Sequence, residues 1–194
     1  MMKVVIDTNV IFSDFNMESP AFTILFKGAL KGNIEICIPE VVRDEVFNKY
    51  RQQLESAKTK LEKELETFNK LAYTEIQFAI ETDKIDTACR LYKERFERLV
   101  SEGKLRVIPY PEPKHNKLAK KAILAKKPFN SNEKGYRDAL IWENILSLIS
   151  DEEKEIVPLL EVIFITTNKN DFLDEKGNLH GDLIEELEVE GHSR

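Results

Sequence analysis

The chain has 194 residues, 42% of them apolar and 33% charged, with a formal net charge of −6; this suffices for one domain with a full core, or one carrying a sizeable insertion. Seven glycines and seven prolines are too few for a disordered chain, and the net acidity argues against broad, charge-driven nucleic-acid binding. The opening "MMKVV" lacks a signal-peptide layout and no apolar run approaches a membrane span, so a cytoplasmic protein is expected.

The first element is a short β-branched run, "KVVID", that stops at Asp7. Ser19 and Pro20 supply an N-cap and a first-turn proline for a helix that runs to a glycine stop at Gly32. "IEICIP" is a second strand, and after Pro39 a long helical pattern begins. From Tyr50 its apolar residues fall at coiled-coil spacing, Leu54, Leu61 and Phe68, with Ala57 and Leu71 beside them. A second amphipathic helix carries Ile85, Ala88, Cys89, Tyr92, Phe96, Leu99 and Val100 on one stripe, so the pair folds back as a helical hairpin. Residues 50–103 read as an arm or insertion on a single domain spanning 1–194. Cys37 and Cys89 read as small buried hydrophobes, with no second ligand at metal spacing.

"KLRVIPY" and "LEVIFITT" are two further strands, and strand alternating with helix implies an α/β fold with a mainly parallel sheet. "DALIWENILSLI" is apolar around most of its circumference, which marks a buried helix, with "SDEEKE" as its solvated exit. The tail holds a turn at Lys176, Gly177 and Asn178, a short amphipathic helix and a loose end.

Four polar positions interrupt this pattern. Asp7 stands where the first strand ends, the edge at which open α/β sheets bind ligands, although an aspartate there also caps a turn. Glu45 shares the core-facing stripe of its helix with Val41, Val42 and Val46 and needs a partner, either a cation from another element or a metal. Asp138 heads the buried helix, as a first-turn cap or as a ligand. The last strand runs into Thr166, Thr167, Asn168 and Asp171, repeating the form of the first. Gathered at one sheet edge, these carboxylates would require a cation, and an all-oxygen set selects Mg²⁺ or Mn²⁺.

In this order the segments resemble the PIN-domain ribonucleases. The D-T-N motif is Asp7, Thr8 and Asn9; the P-x-x-V-x-x-E pattern is Pro39, Val42 and Glu45; the later helix-opening acid is Asp138; the closing segment is Thr166, Asn168, Asp171 and Phe172. "KGYRDALIW" and "DFLDEKGNLHGDL" resemble a longer PIN-like branch, while the helical pair at 50–103 exceeds the compact toxin bodies. The resemblance implies a three-layer α/β/α body with a helical-hairpin insertion, and Mg²⁺- or Mn²⁺-dependent hydrolysis of RNA by Asp7, Glu45, Asp138 and Asp171. Many members carry a fourth acid where this chain has Asn168; Asn168 orients a water without adding charge. Thr8, Asn9 and Thr166 are implied as supports. A toxin or defence role restrained by an antitoxin is also implied, and an oligomer is left open.

The acidic average hides a basic stretch. From Pro113 to Arg137 eight basic residues face Glu133 alone, a balance of +7 that leaves −13 for the remainder. As a helix, Lys117, Lys120, Lys121 and Lys127 project from one arc, and with Lys134 and Arg137 they lead to Asp138; beside an acidic centre they are candidates for holding RNA. Two rivals stand against the nuclease reading. One is a catalytically inactive PIN-like scaffold that binds a protein partner through its arm; the other is a phosphatase with Asp7 as nucleophile, whose D-x-D arrangement Asn9 breaks.

Overall fold

A computed structural model describes residues 1–113, 115–130, 132, 134–150 and 162–189. In chain order they form β1 (Met2–Ile6), α1 (Thr8–Ser13), α2 (Pro20–Leu30), β2 (Ile34–Pro39), α3 (Glu40–Ala72), α4 (Thr82–Ser101), β3 (Arg106–Ile108), α5 (His115–Ile123), α6 (Tyr136–Ser150), β4 (Val162–Ile165), α7 (Lys169–Phe172) and α8 (Gly181–Val189). The stretch expected as a solvated exit beyond Ser150 and the end of the tail lie outside the described residues.

The strands pair in the order β3-β2-β1-β4, all parallel, with Val4 opposite Ile36 on one side and Ile163 on the other. Helices flank this sheet as in a three-layer α/β/α fold. Val4, Val5 and Ile6 are all buried, as a parallel strand covered on both faces requires. Because every strand runs the same way, the ends of β1, β2 and β4 all open on one edge, and Asp7, Glu40 and Thr166 directly follow them.

Local signals act as the sequence suggests. The Ser19 hydroxyl caps α2 by accepting from the Phe22 N–H, Pro20 opens the helix, and Gly32 follows its end at φ +71°. The α6 run buries Ala139, Leu140, Ile141, Trp142, Ile145, Leu146 and Leu148 together with Phe172 and Leu183.

The helical pair folds back at its base, where the Tyr50 and Tyr92 rings stack with centroids 4.2 Å apart, Phe47 meets Phe96, and Arg51 pairs with Asp86 at 2.6 Å. Beyond that base the expected seam is not closed by a second helix. α3 has 33 residues, about 50 Å at the helical rise, whereas α4 begins only at Thr82. Leu61, Phe68 and Leu71 consequently remain exposed, Leu71 at 78%. The return segment is tied to α3 by the Asn69 amide, which donates to the Ile76 carbonyl at 2.8 Å and accepts from its N–H at 3.0 Å.

Candidate active site

β1 delivers Asp7 into the crevice at the sheet's carboxyl edge. It is 2% exposed and caps α1, with its carboxylate accepting from the Thr8 N–H at 2.6 Å. The other oxygen accepts from the Thr166 hydroxyl at 2.6 Å. Turn capping and site position are therefore served by the same side chain. Burial raises the Asp7 carboxyl above its ordinary value; hydrogen bonds from Thr166, Thr8 and Asn9 oppose the rise, and the Glu45 charge adds to it.

The first turns of α3 carry Glu45 on the stripe shared with buried Val41, Val42 and Val46. The Thr8 hydroxyl donates to Glu45 Oε2 at 3.1 Å, so Thr8 supports Glu45 with its side chain and Asp7 only with its backbone. Glu45 Oε1 pairs with the Arg137 guanidinium, the cation from another element that its burial calls for.

Asp138 enters from the first turn of α6. The Asn168 side-chain amide donates to Asp138 Oδ1 at 3.1 Å and to Asp171 Oδ2 at 2.8 Å, while its backbone N–H donates to Thr166 Oγ1 at 2.9 Å. Asn168 is thus the hinge of the cluster, linked to Asp138 and Asp171 directly and to Asp7 through Thr166. The Asp138 carboxyl is pushed up to about 6, first by burial, then by the charges of Asp171 and Asp7, against the Asn168 hydrogen bond.

The sequence-expected acids are therefore electrostatic neighbours: Asp7 feels Glu45, and Asp138 feels Asp171 and Asp7. Their donors are carboxylate oxygens, the chemistry of a hard divalent cation, whose charge would relieve the repulsion. Among the described residues no three His, Cys, Asp or Glu side chains already converge as a ligand set. Arg137 on Glu45 and Asn168 between Asp138 and Asp171 hold the arrangement instead. Carboxylate oxygens of this kind are donors that would suit a hard divalent cation.

The lysine arc differs from its expectation. α5 ends at Ile123, so Lys127 is not on it. Lys121, only 6% exposed, pairs with Glu186 at 2.8 Å, and Glu186 also accepts from Trp142 Nε1 at 2.7 Å. Lys117 pairs with Glu143 at 2.9 Å and Lys126 with Glu185 at 3.0 Å. Lys127 donates to the Asn170 carbonyl at 2.6 Å. Among the described residues, acids of α8 lie against Lys121 and Lys126, and Glu143 of α6 lies against Lys117. Lys120 and Lys134 have no hydrogen bond or ion pair from their ammonium groups among the described residues. Sequence reasoning placed Arg137 near the site but missed its partner; its position next to Asp138 was the available signal.

A parallel sheet with acids at its carboxyl edge, held by hydrogen bonds from Asn168, Thr166 and Thr8, defines an α/β protein with an acidic cluster where its strands end. The PIN-domain family model matches residues 4–172, and the chain belongs to that family. PIN domains are generally nucleases and typically depend on a divalent metal. No curated protein and no solved structure matches the chain significantly. Among the described residues no helix is long and apolar enough to cross a membrane.

Proposed function

We propose that this chain is a metal-dependent endoribonuclease that hydrolyses RNA phosphodiester bonds. The observation that carries the reading is the hydrogen-bonded junction at Asn168, which gathers Asp138, Asp171 and, through Thr166, Asp7 at the sheet edge where β1 and β4 end. Asp7, Glu45, Asp138 and Asp171 hold Mg²⁺ or Mn²⁺; bound there, the ion supplies Lewis-acid activation of water and neutralises phosphate charge. Asn168 orients the Asp138 and Asp171 carboxylates through both hydrogens of its amide nitrogen, which leaves Oδ1 to accept from a water. Thr166 and Thr8 fix Asp7 and Glu45 in the way that outer hydrogen bonds fix ligands, and Asn9 assists Asp7. Arg137, Lys120 and Lys134 provide cations for the RNA backbone. A cytoplasmic toxin or defence role, restrained by an antitoxin, is the biological setting that accords with this chemistry.

A purified sample incubated with a mixed RNA pool, with and without Mn²⁺, tests the reading directly. Cleavage should require the ion. Asp7→Asn and Asp138→Asn should each lose on the order of a thousandfold, about 4 kcal/mol of barrier, with unchanged circular dichroism. Retained cleavage by either variant removes that residue from the site.

A second reading has its own observation. Leu61, Phe68, Leu71, Tyr73 and Phe78 are exposed on the distal arm, Tyr73 at 98%. An inactive PIN-like scaffold would use such a surface to hold a protein partner. Metal-dependent cleavage by the pure protein excludes the inactive form of that reading.

A further inference from the structure

Both oxygens of Glu45 are engaged. Oε2 accepts from the Thr8 hydroxyl at 3.1 Å, and Oε1 is held by the Arg137 guanidinium. The two partners differ in how firmly they are seated. Thr8 is buried in the first turn of α1. Arg137 reaches in from the turn of α6 that carries Asp138, with 60% of its side chain exposed against 14% for Glu45. An arginine in that position keeps its charge at every working pH and leaves its partner with little desolvation change, because it is already largely in water. Its planar fork also matches the oxygens of a phosphate diester.

We infer that Arg137 is an exchangeable counter-ion: it occupies Glu45 when no metal is bound, and once metal takes Glu45 it becomes the cation that receives the substrate phosphate. This inference rests on the metal-dependent reading above. It makes RNA affinity conditional on metal through one side chain, so that the metal-free protein keeps both its acid and its arginine masked by each other.

Titration calorimetry with Mn²⁺ alone, on the parent and on Arg137→Gln, gives the first readout. Removing the competitor should tighten Mn²⁺ binding about threefold, the scale of an ion pair whose cation lies largely in water. Lys134→Gln deletes a nearby exposed charge without touching Glu45 and should change the affinity by less. The second readout is binding of a phosphorothioate single-stranded RNA. Arg137→Gln should weaken it about tenfold in Mn²⁺, as loss of a charge-assisted contact does, and leave it unchanged in EDTA. An Mn²⁺ affinity that is unchanged, or shifted equally by Lys134→Gln, overturns the inference; so does an equal loss of RNA binding in Mn²⁺ and EDTA. A parent that binds no Mn²⁺ sinks the metal-dependent reading itself, whereas a parent that binds it with an indifferent Arg137→Gln sinks only the exchange.

Discussion

Two charged regions of this molecule are built on opposite plans. Between α5 and α8 each sign meets the other: Lys121 lies on Glu186 and Lys126 on Glu185. At the carboxyl edge of the sheet like meets like, with Asp138 beside Asp171 and Asp7, while Arg137 lies on Glu45. The first arrangement fastens a helix to the body. The second keeps charge repulsion in a buried place where stability alone would favour removing it, which is the pattern that makes it the candidate site. A lysine-rich sequence is therefore no guide to a binding face until its acids are located.

The largest effect should come from breaking the satisfied side. Lys121→Met leaves Glu186 half-buried with Trp142 as its remaining donor among the described residues, and removing one partner of a buried pair costs about 3 kcal/mol. Denaturant unfolding should show this loss, with metal binding unchanged. A variant as stable as the parent would make that pair a surface contact.

Relieving the unsatisfied side should have the opposite sign. Asp7→Asn keeps shape and most hydrogen bonds while deleting one repelling charge, so in EDTA it should melt at or above the parent's temperature. With Mg²⁺ at a hundredfold excess over Kd the parent gains about 2.7 kcal/mol and the variant little, so the order reverses. Equal destabilisation under both conditions would reduce Asp7 to its turn-capping role.

The acid side also has a pH signature. In the folded protein the Asp138 carboxyl titrates near 6 against an ordinary 3.8, so between those values the folded state holds the proton that the unfolded state has lost. Metal-free stability should therefore rise as pH falls from about 6 toward 4 and be lower above 6, the reverse of a salt-bridged aspartate. The gain should be modest, because the group is only part-buried. Asp138→Asn should flatten that window. Metal binding should weaken below about 6 in the same variant-sensitive way, since the proton competes with the ion.

Much of this contrast is legible in the sequence. The apolar run ending at Asp7, the proline that opens α3 two turns before Glu45, and Asp138 at the head of a buried helix each break a local pattern, and local patterns are what a sequence displays. What could not be read was pairing. Lys121 and Glu186 are 65 residues apart, and Arg137 and Glu45 are 92 apart, and nothing in either neighbourhood specifies the partner. The same holds for Asn168. Its lack of charge is visible in the sequence, but its position between two carboxylates depends on how β4 meets α6. The arm shows the limit differently: its heptad spacing predicts a long helix, but not that α4 begins too late to cover Leu61 and Phe68.

The smallest effect concerns the lysines that the pairing leaves over. Lys120 is exposed on α5 and Lys134 precedes α6, and neither ammonium has a partner among the described residues. If these two meet RNA phosphates, Lys120→Gln and Lys134→Gln should each lower the salt slope of single-strand binding by about 0.7, because each contact releases condensed counterions. Fold stability should barely move, since no internal pair is lost. Lys117→Gln provides the contrast, because its ammonium already lies 2.9 Å from a Glu143 oxygen in a part-buried pair. Its substitution should lower the melting temperature and leave the slope nearly unchanged. The measurement is a fluorescence anisotropy titration of a short unstructured RNA at several salt concentrations, run beside a thermal melt of each variant. If Lys117→Gln and Lys120→Gln shift the slope alike, the lysines of α5 act as one electrostatic face and pairing with acids does not divide them. If neither of the unpaired lysines shifts it, RNA is held from the Arg137 side alone, and the basic residues of this stretch serve to anchor neighbouring helices.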